Sequence, residues 1–249
     1  MIKRLLYASI ILLGFIGSVQ ANDIYISQVG DTLDLDIVQD GQNNVIGTST
    51  QAVILGATGT AADTMTFSIT QTGDTNTIAA QIQGNNYTGT WAFTGDSNSV
   101  ALMCDSAAAG NCETVTLNIT AVGDNQAYTI DIGESADADS ATVTFSVTDD
   151  ATVIDLDLDG KSAIVNVTVD KNSSVVGTAN TFNLDVTGDG DSAGHTMILD
   201  VKGKGNDILV DQSGVYDNIV NLTTVGDNAD IDITQTDYYA LVVCTSTNT

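Results

Sequence analysis

The segment IYISQVGDTLDLDIVQDGQNN, residues 24–44, carries two copies of one pattern. Ile24, Ile26 and Gln28 stand six, four and two residues before Gly30. Leu35, Ile37 and Gln39 stand at the same offsets before Gly41, eleven residues further on. A side-chain period of two is that of a β-strand with one buried face. A glycine at a fixed step marks where each strand must turn.

The step recurs along the chain. Gly73, Gly84 and Gly95 are eleven apart, as are Asp149, Gly160 and Lys171, and Gly203 and Gly214. Gly226 follows after twelve residues and Asp237 after eleven more. The inward triplets include Phe67, Ile69 and Gln71; Val143, Phe145 and Val147; Ile154, Leu156 and Leu158; and Ile231, Ile233 and Gln235. One such strand cannot bury its apolar face alone, whereas stacked repeats share a continuous core. The expectation is an all-β solenoid with coils of about 22 residues, two short strands per coil and irregular loop insertions. Up-and-down hairpins are the competing arrangement. The register breaks at 47–64, 104–116, 134–142 and 172–181, which are expected to bulge from the coil edges.

Composition points the same way. The 249-residue chain contains no proline, the residue excluded from central strands because it lacks a ladder donor. Residues 1–21 begin with Lys3 and Arg4, continue through an apolar run and end in Val19, Gln20 and Ala21. That is the pattern of a secretory signal peptide, too short to span a membrane comfortably. The expected division is therefore a signal peptide at 1–21, a solenoid at 22–237 and a C-terminal strand or cap at 238–249. The chain is expected to be secreted, extracellular or held at the cell surface, with no transmembrane segment once processed.

The formal net charge is −26. Removing Lys3 and Arg4 leaves four lysines against 32 acids. Nucleic acid is an unsuitable partner, since phosphate contacts need Lys and Arg. The same shortage argues against a polysaccharide lyase cleft, and no nucleophile elbow, P-loop or zinc motif is present. No catalytic residue and no obligate cofactor are expected. Asp155, Asp157 and Asp159 alternate along one strand and would face outward together, where hard oxygen ligands suit Ca²⁺. Asp185, Asp189, Asp191, Asp230 and Asp232 would add oxygens. The opposing reading is a solvated acidic face that blocks unwanted sheet stacking. His195, the only histidine, is expected to be a solvated loop residue. Thr64, Thr66, Ser68 and Thr70, with Thr142, Thr144, Ser146 and Thr148, suggest a flat hydroxyl array for ice or glycan, although the array is not expected to persist from coil to coil. Cys104 and Cys112 lie eight apart and are expected to form a disulfide in an oxidising compartment, leaving Cys244 over.

The motifs at Gln28 and Gly30, at Gln39, Gly41 and Asn44, and at Gln71, Gly73 and Asn76 resemble the repeats of curlin, the major subunit of bacterial curli fibres. Gly95 with Asn98, and Gly203 with Asn206, keep the Gly-x-x-Asn part. The likeness returns near Gln212, Gly214 and Gln235, while residues 143–190 keep the period but carry Val or Leu in place of Gln. The resemblance implies a two-strand-per-coil solenoid that polymerises outside the cell, with a secretion or nucleation partner at the cell surface. Stacked Gln and Asn at one inward position would form hydrogen-bonded ladders. The expected role is a structural or adhesive fibre or matrix subunit for surface attachment or biofilm. The alternative is a non-polymerising solenoid adhesin or binding module, with Ca²⁺ as its candidate ligand.

Overall fold

The structure is a computed structural model that describes residues 23–28, 32–41, 43–48, 52–56, 64–104, 112–123, 125–133, 138–148, 151–170, 179–188, 194–237 and 239–247. The chain runs through β1 (Asp23–Ile24), β2 (Ser27–Gln28), β3 (Thr32–Asp40), β4 (Asn44–Ile46), β5 (Val53–Leu55), β6 (Thr64–Thr72) and β7 (Thr75–Ile82). Next come β8 (Asn86–Thr94), β9 (Ser97–Cys104), β10 (Thr114–Val122), β11 (Asn125–Ile132), β12 (Ser140–Thr148) and β13 (Ala151–Asp159). Last are β14 (Ala163–Asp170), β15 (Thr181–Thr187), β16 (Thr196–Lys202), β17 (Asp207–Ser213), β18 (Ile219–Val225), β19 (Asp230–Thr236) and β20 (Leu241–Thr247).

Strands alternate between two sheets. One follows the order β3-β6-β8-β10-β12-β14-β16-β18-β20; the other runs β1-β4-β7-β9-β11-β13-β15-β17-β19, with β2 and β5 alongside β7. Neighbouring strands within each sheet are parallel, for example Met65 beside Tyr87 and Thr75 beside Ser97. Parallel neighbours exclude the hairpin arrangement, whose neighbouring strands would be antiparallel. The fold is the β-solenoid read from the sequence. The shortest coil is 22 residues, the separation of Asn76 from Asn98, and the coils average roughly 26.

The eleven-residue step has two structural meanings. Gly41, Gly73, Gly95, Gly203 and Gly226 turn the chain out of the β3–β20 sheet, whereas Gly84, Gly160 and Gly214 turn it back. Gly30, Asp149 and Lys171 lie outside the described residues. At the first corner the backbones stack too closely for a side chain. A Cβ on Gly73 would lie 1.9 Å from the Gly41 carbonyl oxygen, and one on Gly95 would lie 1.8 Å from that of Gly73. Glycine is fixed there by the coil above, because no other residue lets two backbones approach so far.

Three of the four expected breaks follow strands of the β1–β19 sheet, at the second corner; the break at 172–181 falls at the first. The first break is not all loop. Within 47–64 the chain returns to the sheet as β5, where Val53 pairs with Ala80 while Ile46 pairs with Ile78. The strand therefore resumes at Val53, two register positions beyond Ile46. Residues 114–116, 140–142 and 181 belong to β10, β12 and β15. The disulfide joins Cys104 to Cys112, with 6.0 Å between the α-carbons, at the base of the second break.

The inner faces of both sheets form one apolar cluster. Like sits on like along the stack: Val100, Tyr128, Ile154, Phe182 and Ile208 occupy one column. Aromatic bulk enters where a neighbour makes room. Gly89 is inward beside Leu117, and a Cβ there would lie 2.3 Å from the Tyr87 hydroxyl oxygen. Trp91 packs edge-on against Phe67 at 5.8 Å and donates its indole N–H to the Phe67 carbonyl at 3.0 Å.

Candidate functional site: inward amide columns and two unlike outer faces

The inward amides do not share one position, as the sequence reading supposed. They fall into three columns, because strands from the two sheets end at different corners. The longest column stands just past the first corner, three residues after the turn glycine. Asn44 Nδ2 donates to Asn76 Oδ1 at 3.2 Å, Asn76 Nδ2 to Asn98 Oδ1 at 2.6 Å, and Asn98 Nδ2 to Gln126 Oε1 at 2.6 Å. Tyr128 donates its hydroxyl to the same Gln126 oxygen at 3.0 Å. The chain of side-chain amides is broken at Thr152, whose backbone N–H donates to Asn180 Oδ1 at 3.0 Å. It resumes where Asn180 Nδ2 donates to Asn206 Oδ1 at 2.9 Å. These side chains also tie down the corner, since Asn44 Nδ2 reaches the Thr72 carbonyl at 2.8 Å and Asn206 Nδ2 the Gly203 carbonyl at 3.1 Å.

Gln126, Thr152 and Asn180 were missed by the sequence reading. Two of them were legible, since Gly123 precedes Gln126 and Gly177 precedes Asn180 by the same three residues. An expected loop at 172–181 concealed the second.

The other two columns are short and sit at opposite ends of the stack. Gln71 Nε2 donates to Gln39 Oε1 at 2.7 Å, and the column then continues as Phe93, Ala121 and Val147. Gln235 Nε2 donates to Gln212 Oε1 at 2.6 Å. In the opposite direction that column runs through Val186, Leu158, Ile132, Cys104, Ile82 and Leu55 to the register position of Gln28.

His195 departs from its expected place. It is fully buried at the second corner, not solvated. Its Nδ1 accepts the Ala163 N–H at 3.2 Å and its own N–H donates to Asn218 Oδ1 at 3.1 Å. The residues before it lengthen the coil, and the stack resumes at His195, which serves as a cap for the strand beside it.

The outer faces differ in charge. On β6, β8, β10 and β12 no outward residue is charged. Thr66, Thr88, Thr116 and Thr142 lie in register, as do Ser68, Thr90, Asn118 and Thr144. The hydroxyl array thus persists over four coils, which corrects the sequence expectation; insertions between the repeats had hidden the register. The other sheet is acidic on its outer face from β11 to β19, whereas the outward positions of β7 and β9 carry no charge. Asp131, Asp157, Asp185 and Asp211 form a single column across four strands, with a spacing of about 4.8 Å expected of neighbouring strands. Burial, then Asp157, Asp211 and Asp159, push the Asp185 carboxyl above its ordinary pKa.

Asp155, Asp157 and Asp159 alternate outward on β13 as expected. Asp155 Oδ1 accepts a hydrogen bond from Asn183 Nδ2 at 2.8 Å, and Asp159 Oδ1 accepts one from the Thr187 hydroxyl. Among the described residues no group of three or more His, Cys, Asp or Glu is arranged to hold a metal ion. Asp189 and Asp191 lie outside those residues. Cys244 is an exposed free thiol. No helix among the described residues is long and apolar enough to cross a membrane. Comparison with protein-family models, with curated proteins and with solved structures finds no match.

Two outcomes are expected. Asn98→Ala removes a buried acceptor and a buried donor from the middle of the column; Gln126 Oε1 keeps the Tyr128 hydroxyl and Asn76 Nδ2 keeps the Thr94 carbonyl, so the two lost hydrogen bonds together cost ~1–3 kcal/mol. The melting temperature should fall by roughly 4–10 °C, measured by circular dichroism, while a Thr88→Ala control on the outer face should change it little. Asp185→Asn should act in the other direction. A carboxyl whose pKa is raised by folding binds its proton more tightly in the folded state, so its penalty is absent at pH below the ordinary carboxylate range and grows as pH rises through the raised value. The substitution should therefore raise the melting temperature by roughly 1–3 °C at pH 7 and leave it unchanged at pH 3.

Proposed function

We propose that the chain is a secreted structural and adhesive subunit that self-associates outside the cell into an amyloid-like fibre or matrix for surface attachment or biofilm. The observation that carries the reading is the hydrogen-bonded Asn column, which links coil to coil through side chains as well as backbone. Amide ladders of this kind stabilise cross-β stacks because each amide both donates and accepts along the axis. The resemblance of the Gln39, Gly41, Asn44 and Gln71, Gly73, Asn76 motifs to curlin repeats supports the same reading. An N-terminal segment of signal-peptide pattern supports export, with a secretion or nucleation partner at the cell surface. The high negative charge keeps single subunits soluble and apart until their ends meet.

A second reading is favoured by one specific observation, the uncharged hydroxyl face on β6, β8, β10 and β12 of a strongly acidic chain. On this reading the solenoid does not polymerise and binds a flat, regular polar surface such as an insoluble glycan or ice through that face. Ca²⁺ would bind the acidic face in the same scheme.

Negative-stain microscopy with thioflavin fluorescence, with and without Ca²⁺, separates the two readings. The expected result is unbranched fibres with a dye response. Discrete short rods at high concentration, retained on insoluble polysaccharide or ice, contradict assembly and support the binding module.

A further inference from the structure

The two ends of the solenoid are each half a coil out of step, in opposite senses. At one end β1 and β2 form a half-coil in the β1–β19 sheet, with no strand of the other sheet at their level among the described residues. At the other end β20 forms a half-coil in the β3–β20 sheet, also without an opposite strand. Its inward positions are consequently bare: Val242 is 45% exposed and Cys244 is exposed.

The end strands also match in sequence. Asp23, Ile24, Ile26 and Gln28 correspond to Asp230, Ile231, Ile233 and Gln235, each set with the same spacing. Ile24 and Ile26 occupy the same inward columns as Ile231 and Ile233 at opposite ends of one sheet, since Ile24 pairs with Ile46 and Ile231 with Ile208 at the two limits of a single column; Gln28 stands at the register position of Gln235. In the other sheet, Val242 and Cys244 end the columns that begin with Leu35 and Ile37. The edge strand β20 has no charged residue, although charge is the common device that keeps edge strands from pairing.

We propose that two copies of this chain join head to tail through a split coil, in which β20 of one copy and β1–β2 of the next supply the two halves of one turn. β20 then pairs with the partner copy's β3, and β19 with its β1–β2. This inference rests on the assembly reading above and adds the joint and its register. Ile231 and Ile233 stack on Ile24 and Ile26, and Gln235 meets the register position of Gln28, so these columns continue like on like. Uncharged β20 meets the outward Asp34 and Asp36 of β3 with no like charge opposite them. Such a contact is heterologous and does not close, so it propagates as a filament.

Cysteine cross-linking tests the register. In a Cys244→Ser background, Val38→Cys and Thr245→Cys place exposed thiols in the same outward column of the joint. Neighbouring strands are about 4.8 Å apart there, within disulfide range. Asp36→Cys with Thr245→Cys is the off-register control, about 8 Å apart and beyond that range. Oxidised assemblies of the first pair should run as a ladder of multimers on a non-reducing denaturing gel, and those of the control should remain monomeric. Fibres that form but cross-link only in the control, or in neither, overturn the split coil and leave self-assembly standing. Failure of every form to assemble overturns both. As a second arm, Cys244→Asp puts a charge into the joint at a position that is exposed in the single copy. It should slow elongation at least tenfold with an unchanged monomer circular dichroism spectrum; unchanged elongation contradicts the joint.

Discussion

The backbone hydrogen bonds of this protein run along the stack, and each coil therefore sits directly over the last at the strand spacing of about 4.8 Å. Every residue meets, above and below, the residue at the same register position of the next coil. That condition favours side chains that can satisfy copies of themselves. Aliphatic residues do so by packing, and Asn and Gln do so because one amide carries both a donor and an acceptor. It is unfavourable for carboxylates, which only accept and repel one another. The inner columns of Val, Ile, Leu, Asn and Gln follow from the first condition. The Asp column on the outer face stands where water can screen what stacking brings together.

The same constraint explains the corners. Where the turn is only two residues long, successive coils leave so little room that Gly73 and Gly95 are excluded from carrying a side chain by the carbonyl of the neighbouring coil. The third residue after each such glycine faces inward and closes the corner with an amide. Glycine and asparagine are thus one device with two parts, a backbone that fits and a side chain that occupies the donors and acceptors it leaves. Most insertions fall at the other corner, where the coils need not follow so tight a path; the break at 172–181 is the exception at the first. The absence of proline has the same origin, since nearly every strand has a neighbour on both sides.

Much of this was legible in the residues. Alternation at Leu35, Ile37 and Gln39 or at Ile154, Leu156 and Leu158 is a local signal, and it identified strand and inward face directly; it gave the shortest coil, 22 residues, and not the average of roughly 26, because insertions lengthen the others. What escaped was anything that depends on which coil lies next to which. Gln39 and Asn44 look like one repeated amide motif, yet they belong to different columns on the two sides of a corner. Thr66 and Thr142 look unrelated until insertions of unequal length are removed and the register places them in line. His195 looks like a loop residue because the sequence before it is turn-like, whereas the stack resumes on it and buries it. Fold came from periodicity; the site came from register, which periodicity alone does not supply.

The register is best tested by electron-spin distance measurements in a Cys244→Ser background. Labels at Thr66 and Thr196, in one outward column five coil steps apart, should be separated by about 24 Å. Labels at Thr66 and Leu241, two steps further in the same column, should be separated by about 34 Å. Narrow distributions that lengthen in proportion to the number of coils support in-register stacking. Distances that do not scale with coil number contradict it, and with it the amide columns and both assembly proposals.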